Sequence, residues 1–550
     1  MHKRFFSLTA TFVVGLLVAS SAFGQTKEKF RRVINAIPGQ YIVVFNNQMA
    51  RSDVAPASHA LARAHRGKVK FVYEDALKGF AVKLSEAAAI ALSKNPQVDY
   101  VEEETLNTIA QTQQSLSPGP SDFYGIDRVD QRDLPLNNIY SYFQGGCCPS
   151  NVFILDTGMP ISTGQWPGSQ AFIPPLVRVH NAYDTFGGNG LDFNNHGSSV
   201  ASIIGGVTYG VAKNAELYTV KVCDDSGGCQ TSNAIAGLNW VIANHQGTAV
   251  VNMSLGGFPS SSLDTAVRNA EASNLIVVVA AGNDNDNASS HSPSRVVEAL
   301  TVGATLNNDA RASYSNFGGV VDLYAPGGDV PTQGIPTVAS AGGTRPFDGT
   351  SAAAPHAAGV AALYLSFNPG VSSYVAAGEL KKGSTWNKVT NLPYAGPDNL
   401  LYSLFPMSVS HFSGSIPFYR YYSGVNTDHF YTTNWSELGP TAYSWDFEFV
   451  GCYIFGSQVS NTVPLYQYYN GGTRDHFYTT NFSTLGNGAY GYVYEKVAGY
   501  VYSSNVSGSL PLYRYYNATI GDHFYTTDFN ELGNGIKGYV YEAIECYVSP

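Results

Sequence analysis

The chain has 550 residues and a formal net charge of −10, with 44% apolar and only 13% charged residues. This length is too great for one hydrophobic core, so we expect roughly three or four folded units. The acidic balance and the lack of clustered Lys and Arg exclude a nucleic-acid partner, because phosphate binding depends on such clusters.

Residues 1–24 have the pattern of a secretory signal peptide. A basic start at 2–4 precedes a short apolar run at 11–19, and the small residues Ala22 and Gly24 suit a cleavage site. That run is too short to span a bilayer, and no later segment reaches the roughly 18 apolar residues that a span needs. We expect a secreted, extracellular protein with no membrane partner; the alternative for this segment is a buried helix.

Residues 25–110 predict a small α+β domain of the ferredoxin-like kind. The predicted order β-α-β-β-α-β is typical of a split βαβ sandwich, and a polar tail without periodicity follows it at 105–120. The predicted elements are a strand at 37–45, a helix at 56–65, two strands within 69–85, a helix at 86–94 and a strand near 98–100.

Residues 111–405 change to an α/β pattern. Short, fully apolar runs alternate with helical stretches, which is typical of strands buried on both faces of a mostly parallel sheet between helices. The clearest runs are 151–155, 217–222, 249–253 and 275–280.

Residues 411–550, after a linker at 405–415, contain three aromatic repeats. The pattern Asp-His-Phe-Tyr-Thr-Thr occurs at 428–433, 475–480 and 522–527, so the repeat length is 47 residues. Three short units punctuated by Gly predict an all-β accessory domain with three-fold symmetry, which we expect to be β-trefoil-like.

Three short motifs in the α/β region place an acid, a base and a nucleophile. Asp156 ends an apolar strand, where the catalytic groups of such sheets collect, and His196 opens a helix of small residues. Each of these two motifs has another explanation. Asp-Thr-Gly also marks aspartic proteases, which need a second such carboxylate, and a lone His-Gly is more often structural. The segment around Ser351 is the specific one.

Ser351 follows Gly349 and Thr350 at the predicted start of a helix. There its backbone N–H is free to donate to a developing oxyanion, and the positive helix end favours negative charge. The small residues that follow let this helix lie close against the sheet, whereas a helix built only for packing would carry Leu or Ile. The pattern predicts a catalytic serine.

Together the three motifs resemble the subtilisin-like serine proteases, most closely their proteinase K branch. Asp156, His196 and Ser351 follow one another in the order that this family uses, whereas other families build the same geometry in other orders. The resemblance covers about residues 110–404. Further phrases that carry it are 127–132 (DRVDQR), 252–257 (NMSLGG), 280–283 (AAGN) and 313–318 (SYSNFG).

The resemblance implies a role for each catalytic group. Ser351 Oγ attacks the scissile carbonyl, His196 takes its proton and later returns it to the leaving amine, and Asp156 orients His196. Asn283 supplies a side-chain N–H to the oxyanion. The implied activity is hydrolysis of peptide bonds in proteins through an acyl-enzyme intermediate, with no cofactor for catalysis.

The resemblance also implies how substrate binds. An extended protein or peptide substrate pairs as an added strand between two backbone edges, and an uncharged pocket suits an apolar or aromatic residue before the cut. Ser199, Ser202 and Thr231 depart from the family pattern, which affects local packing and a distal subsite but removes no catalytic group. The residues implied in substrate binding are Gly227, Gly228, Ser254, Leu255, Gly256, Ala280, Ala281 and Gly282.

A structural calcium ion is a further implication of the resemblance. Asp322 matches a calcium ligand of the proteinase K branch, and the backbone carbonyls of Val297 and Ala299 are its expected partners. Carboxylate and carbonyl oxygens suit Ca²⁺. The alternative is that Asp322 only caps a loop.

Six cysteines suit an oxidising compartment. Cys223 and Cys229 flank a short loop and are predicted to form a disulfide. Cys452 and Cys546 are 94 residues apart, twice the repeat length, so they occupy equivalent positions and bridge only if that position lies near a three-fold axis. The partners of Cys147 and Cys148 cannot be assigned from the sequence.

The first domain resembles the inhibitory propeptide of the same family. The resemblance implies that residues 25–110 assist folding and then block the cleft, with residues 98–110 bound as a product. We expect the chain to cleave itself near residues 109–113, to have its own propeptide as an inhibitor, and to be a monomer.

The aromatic repeats resemble a three-fold module appended to secreted bacterial hydrolases. Tyr-rich faces suit stacking on sugars, so a polysaccharide or cell-surface ligand is a hypothesis. The Asp-His pairs are either metal ligands or, as we favour, pairs in which each Asp orients its own His within the repeat. These pairs are Asp428 with His429, Asp475 with His476, and Asp522 with His523.

Two alternative functions need to be weighed. A catalytically inactive subtilase fold that displays a binding module would have lost the Ser, the His or the oxyanion Asn, and all three are present here. An esterase would need a Gly-x-Ser-x-Gly elbow, whereas Ser351 lies in Gly-Thr-Ser-Ala-Ala.

Overall fold

The computed structural model describes residues 29–108, 124–143, 149–160, 178–330, 332–393, 396–405, 411–439, 441–442 and 444–550. The predicted signal peptide, the predicted self-cleavage region at 109–113, and Cys147 and Cys148 lie outside these ranges. Within them, no helix combines the length and the apolar character needed to cross a membrane.

The first domain has the predicted order β-α-β-β-α-β, preceded by one short strand that was not predicted, and its last strand runs to Thr108, into the predicted tail. It consists of β1 (Phe30–Arg31), β2 (Ala36–Phe45), α1 (Arg51–Ala64), β3 (Lys68–Tyr73), β4 (Gly79–Lys83), α2 (Glu86–Ser93) and β5 (Val98–Thr108). The sheet order is β1-β5-β2-β4-β3. Alternate residues of β2 serve two interfaces, as the period of a strand requires: Val43 packs in the domain's own core and Ile42 in a core shared with the second domain.

The second domain is built on the predicted parallel sheet. Its elements are α3 (Tyr124–Val129), β6 (Asn151–Asp156), β7 (Val179–Asp184), α4 (His196–Gly205), β8 (Glu216–Lys221), β9 (Gly228–Gln230), α5 (Thr231–Asn244), β10 (Ala249–Met253), α6 (Ser261–Ala272), β11 (Leu275–Ala280), β12 (Leu300–Thr305), β13 (Leu323–Pro326), β14 (Ile335–Val338), β15 (Thr344–Phe347), α7 (Thr350–Phe367) and α8 (Ser373–Gly383). Seven strands lie in the order β13-β12-β11-β10-β6-β8-β7. Helices α4 and α7 pack on one face of this sheet, and α5 and α6 pack on the other.

The third domain is all-β, as predicted. Its strands are β16 (Ser415–Ser423), β17 (Asp428–Thr432), β18 (Thr441–Ala442), β19 (Trp445–Phe455), β20 (Thr462–Asn470), β21 (Asp475–Thr479), β22 (Tyr492–Tyr502), β23 (Leu510–Asn517), β24 (Asp522–Thr526) and β25 (Val540–Val548). In each repeat one strand pairs antiparallel with two others, β16 with β17 and β19 being the first case. Single bridges between β19, β22 and β25 join the three units. Whether this arrangement is a β-trefoil stays a prediction.

Three tyrosines at equivalent positions hold the repeats together. The hydroxyl of Tyr478 donates to the carbonyl of Tyr431 at 2.7 Å and accepts from the N–H of Tyr431 at 2.9 Å. The hydroxyl of Tyr525 makes the same two hydrogen bonds with the backbone of Tyr478, and the hydroxyl of Tyr431 makes them with the backbone of Tyr525. The hydrogen bonds therefore form a closed ring. All three side chains are buried. Each repeat therefore satisfies backbone groups of its neighbour.

The Asp-His pairs run between repeats, so the prediction of pairs within one repeat was wrong. Asp428 Oδ2 lies 2.6 Å from His476 Nδ1, and the two other pairs are Asp475 with His523 and Asp522 with His429, at 2.6 and 2.7 Å. Successive side chains on a strand point to opposite faces, so an Asp is poorly placed to reach the next residue. The next repeat supplies the partner instead.

Cys452 and Cys546 are not joined; both are free and buried. The bridge that repeat symmetry allowed is therefore absent from the structure. Their sulfurs share the apolar core of the third domain with the tyrosine ring, and burial raises the pKa of the Cys452 thiol to about 12. Burial thus disfavours the thiolate, which is the form that disulfide chemistry needs.

We expect Tyr478→Phe to destabilise the third domain. The change leaves the N–H and the carbonyl of Tyr431 buried without these partners, and an unsatisfied buried group costs about 1–3 kcal/mol. Calorimetric unfolding should show a loss of about 2–4 kcal/mol. The control is Tyr490→Phe, whose side chain is 88% exposed. Equal stability of the two variants would contradict the role given to the ring.

Candidate active site

Ser351 lies in the first turn of α7, as predicted. Gly349 precedes the helix with a φ of +101°, a backbone conformation that suits glycine. The Ser351 hydroxyl donates to the carbonyl of Ser254 at 3.1 Å. Its backbone N–H has no acceptor among the described residues. A free N–H at the start of a helix is the arrangement that an oxyanion requires.

Asp156 and His196 form a buried pair at the carboxyl end of the sheet. Asp156 is the last residue of β6 and His196 is the first of α4, and Oδ1 of the carboxylate lies 2.7 Å from Nδ1 of the imidazole. Both side chains are fully buried. His196 Nε2 is buried with no hydrogen-bond partner among the described residues. When Nδ1–H of His196 donates to Asp156, the lone pair of the ring is on Nε2, which can then accept a proton.

Asn283 is held by the start of the same helix that carries Ser351. Its Oδ1 accepts from the backbone N–H of Thr350 at 2.9 Å and from the Thr350 hydroxyl at 2.8 Å. Two donors on the amide oxygen fix which way the amide faces, and they leave its N–H₂ group to donate elsewhere. Thr350 was not singled out from the sequence, although it adjoins the nucleophile.

A cleft of about 990 Å³ opens beside Ser351. Of the predicted substrate-binding residues, Ser254 acts through its carbonyl on Ser351, and Gly227 and Gly228 lie at the β9 edge. The predicted residues that line the cleft are Leu255, Gly256, Ala280, Ala281, Gly282 and Asn283. The Ala-Ala-Gly segment contributes no charge to the wall, as expected of a pocket for apolar side chains.

The end of the first domain enters this region as an added strand. Residues 106–108 of β5 pair antiparallel with β9, with Leu106 opposite Gln230 and Thr108 opposite Gly228. The amide of Asn107 donates to the hydroxyl of Thr231 at 3.0 Å. Leu106 also lines the cleft. The edge implied in substrate binding therefore already pairs with an extended backbone.

A disulfide joins Cys223 and Cys229, with Cα atoms 4.1 Å apart. It closes the loop that leads into β9, and Cys229 itself lies on that strand opposite Asn107. The bond ties the substrate edge to the segment that follows β8. The edge is thereby stiffened where an extended peptide would pair.

The two serines that depart from the family pattern on α4 bind a neighbouring strand. Ser199 Oγ accepts from the hydroxyl of Thr337 at 3.0 Å, and Ser202 Oγ accepts from the N–H of Val338 at 3.2 Å. Both serines are fully buried. Hydroxyls at these positions therefore fasten β14 to the helix that begins with His196.

The predicted calcium ligands lie together but face a lysine. Val297, Ala299 and Asp322 line one small cavity. Asp322 Oδ2 accepts from the N–H of Thr301 at 2.8 Å, and its Oδ1 lies 3.3 Å from Lys381 Nζ. Burial raises the pKa of Asp322, and the ammonium opposes that shift. Because an ammonium repels Ca²⁺, which needs six to eight oxygen ligands, these residues do not fit the ion as they stand.

The same lysine belongs to the contact between the second and third domains. Lys381 Nζ donates to the carbonyl of Phe447, and Lys382 Nζ donates to that of Val450. Aromatic pairs reinforce the contact, such as Tyr374 with Trp435. The third domain is therefore attached at α8, and none of its described residues lines the cleft.

Comparison with known protein families covers all three domains. Residues 154–400 match the Subtilase family, residues 40–110 match Peptidase inhibitor I9, and residues 417–549 match a Domain of unknown function (DUF5648). The matched regions correspond to the second, first and third domains of the structure.

Individual proteins match between 52% and 67% of this chain. An extracellular serine proteinase of Thermus sp. (strain Rt41A) is 40% identical over 67% of this chain and 90% of its own. Proteinase R of Parengyodontium album is 33% identical over 61% of this chain and 82% of its own. A solved cold adapted subtilisin-like serine proteinase is 40% identical, with a TM-score of 0.48, over 52% of this chain and all of its own. The chain belongs to the subtilase family and is a subtilisin-like serine endopeptidase.

Proposed function

We propose that this endopeptidase is secreted and cuts extended protein segments with broad, apolar- or aromatic-leaning specificity. The name of the Thermus relative, an extracellular proteinase, supports the location. The observation that carries the substrate proposal is the pairing of residues 106–108 with β9, since a peptide backbone already lies there as an added strand. The uncharged Ala280–Gly282 segment of the cleft supports the preference.

The proposed mechanism needs one rotation of a side chain. Ser351 Oγ leaves the carbonyl of Ser254 and gives its proton to Nε2 of His196 as it attacks the scissile carbonyl. Asp156 stabilises the imidazolium that forms. The oxyanion receives hydrogen bonds from the backbone N–H of Ser351 and the amide of Asn283, and His196 then returns the proton to the leaving amine.

The proposed domain limits follow the same account. Residues 1–24 are the signal peptide, 25–110 the inhibitory propeptide, 111–405 the catalytic domain and 411–550 the accessory domain. A monomer and a polysaccharide or cell-surface ligand of the accessory domain are parts of the proposal. Structural calcium stays a prediction of the family resemblance, and the contact of Asp322 with Lys381 stands against it.

The propeptide is proposed to inhibit by more than the strand in the cleft. Glu102 accepts from the hydroxyl of Ser260 at 2.6 Å and from the N–H of Ser261 at 3.0 Å, at the start of α6. Glu104 accepts from the N–H of Ser232 at 2.9 Å, at the start of α5. Two carboxylates of one strand thus satisfy free N–H groups of two catalytic-domain helices.

These two glutamates were not found from the sequence, although both lie on the strand predicted to enter the cleft. Because successive side chains of β5 alternate, Glu102 and Glu104 share the face turned toward the second domain, and Glu103 faces away toward Arg32. Burial raises the pKa of both Glu102 and Glu104 in the complex, more than the hydrogen bonds lower it.

We expect Ser351→Ala to abolish both hydrolysis and self-processing, because it removes the hydroxyl that we propose as the nucleophile. Azocasein hydrolysis and mass spectrometry of the purified full-length chain measure the two effects. Ser313→Ala, an exposed serine of the same domain, should be processed normally. Trimming of the purified Ser351→Ala chain near residues 109–113 would contradict self-cleavage.

We expect the affinity of the separate propeptide for the Ser351→Ala catalytic part to fall as pH rises through the carboxyl range. A pKa raised in the complex means that the bound glutamates hold protons which the free propeptide releases, so binding is strongest at low pH. Glu102→Gln with Glu104→Gln should flatten the profile in calorimetric titrations, whereas Asp99→Asn, exposed on the same strand, should leave it unchanged. An affinity that rises with pH would overturn this account.

A further inference from the structure

The three repeats of the third domain provide their own internal comparison. One inward-facing position holds Arg420 in the first repeat, Gln467 in the second and Arg514 in the third, each 47 residues apart. Each of these side chains lies where its repeat meets the preceding one in the ring. Arginine thus occupies two junctions, and the junction between the first and second repeats has glutamine.

The junction at Arg420 shows what the site is built to hold. Its guanidinium forms two hydrogen bonds with Glu531, at 2.8 and 3.2 Å, and one with Glu448 at 2.7 Å. It stacks on Phe449 and Phe524, 3.9 and 4.6 Å from the ring centroids. Arg420 is only 1% exposed. A buried guanidinium between carboxylates and aromatic faces is a strong pairing.

The junction at Arg514 is similar, although Thr484 stands at the position of Glu531 and Ala543 at the position of Phe449. Its guanidinium donates to Glu542 at 2.8 Å and also pairs with Glu545. It lies 5.2 Å from the ring centroid of Phe477, which corresponds to Phe524 in the Arg420 junction. Two of three equivalent places therefore contain an arginine between two carboxylates and beside an aromatic ring.

The junction at Gln467 keeps one aromatic ring and two carboxylates of the Arg420 junction, but it has Lys496 at the position of Phe449. Phe430 corresponds to Phe524, Glu437 to Glu531 and Glu495 to Glu448. These residues and Gln467 line a pocket of about 270 Å³, close to the lower end of small-ligand pockets, about 300 Å³. The shorter, uncharged glutamine leaves this space, and the positive charge comes from another position, because Lys496 also lines the pocket with its Nζ 6.0 Å from the ring centroid of Phe430.

The polar groups of this pocket are left partly unsatisfied. Gln467 is 2% exposed, its Nε2 donates to Glu495 at 2.8 Å, and its Oε1 has no hydrogen-bond partner among the described residues. Glu437 pairs with Lys496 at 3.6 Å and accepts from the hydroxyl of Thr432 at 2.7 Å. Lys496 is 44% exposed and reaches Glu437 and the Phe430 ring from the solvent side, so a bound guanidinium would have to displace its ammonium from both.

We propose that this pocket, bounded by Phe430, Glu437, Gln467 and Glu495, binds the guanidinium of an arginine side chain carried by a peptide or protein. Five N–H donors of a guanidinium match the carboxylates and the free Oε1, and Phe430 offers a face for stacking. The ligand thus reproduces what Arg420 does inside the chain. The accessory domain would then hold arginine-bearing proteins, either as substrates or as attachment points, independently of the catalytic cleft.

The test titrates Nα-acetyl-arginine amide into the full-length Ser351→Ala chain and measures the affinity by isothermal titration calorimetry. We expect binding to this probe that is at least about tenfold tighter than to the citrulline analogue, which keeps the shape and lacks the charge. Gln467→Arg, which supplies the residue of the other two repeats, should abolish binding without lowering the Tm. Glu437→Gln should weaken binding about tenfold, and because this side chain is largely at the surface the fold should be unaffected.

Two outcomes would overturn the proposal. The first is equal binding of the arginine and citrulline probes. The second is unchanged binding of the arginine probe in both Gln467→Arg and Glu437→Gln, which would place it elsewhere, for example in the cleft. Absence of any binding of the arginine probe to the unaltered pocket at millimolar concentration would also refute it.

Discussion

The hydrogen bond between Asp156 and His196 is the interaction on which the rest of the catalytic structure depends. A buried carboxylate at 2.7 Å from Nδ1 holds the imidazole so that Nε2 is the basic nitrogen. For both side chains to be fully buried, the end of β6 and the start of α4 must meet, and the parallel sheet provides that meeting point at its carboxyl edge. The proposed nucleophile, Ser351, lies on α7. The small residues of this helix let the helix pack closely on the same face of the sheet as α4.

On the substrate side, too, single structural elements position more than one group. The start of α7 offers the N–H of Ser351 and, through Thr350, fixes the amide of Asn283, so one helix terminus positions both proposed oxyanion donors. The β9 edge, stiffened by the disulfide, pairs with the end of the propeptide. An inhibitor that uses the substrate's own backbone pairing needs little sequence specificity there, and Glu102 and Glu104 add specificity at a distance from the cleft.

The catalytic motifs could be predicted from the sequence because each motif is formed by residues that are adjacent in the chain. Glycine before a helix of small residues predicts the nucleophile, and the alternation of apolar runs predicts the parallel sheet.

Contacts between distant segments could not be predicted in the same way. The propeptide glutamates meet helix starts more than 100 residues away, and Lys381 reaches Asp322 from a helix that itself contacts the third domain. Repeat symmetry predicted equivalence but could not decide which repeat supplies the partner, so the Asp-His pairs were assigned wrongly and the cysteine bridge was left open; in the structure both cysteines are free. Helix α1 begins at Arg51, before the predicted start at Pro56. The prediction placed the proline at the first helical position, which proline favours, whereas in the structure Pro56 lies inside the helix.

The most direct test of the account is the oxyanion site, since the triad alone does not require the geometry that α7 imposes on Asn283. In the processed enzyme, Asn283→Asp keeps the size and the acceptor atoms of the side chain but removes the N–H donor. Measured kcat on a peptide substrate should fall about 100- to 1000-fold while KM changes little, because the lost hydrogen bond exists only in the transition state. A kcat within a few fold of the unaltered enzyme, or a loss confined to KM, would contradict the account.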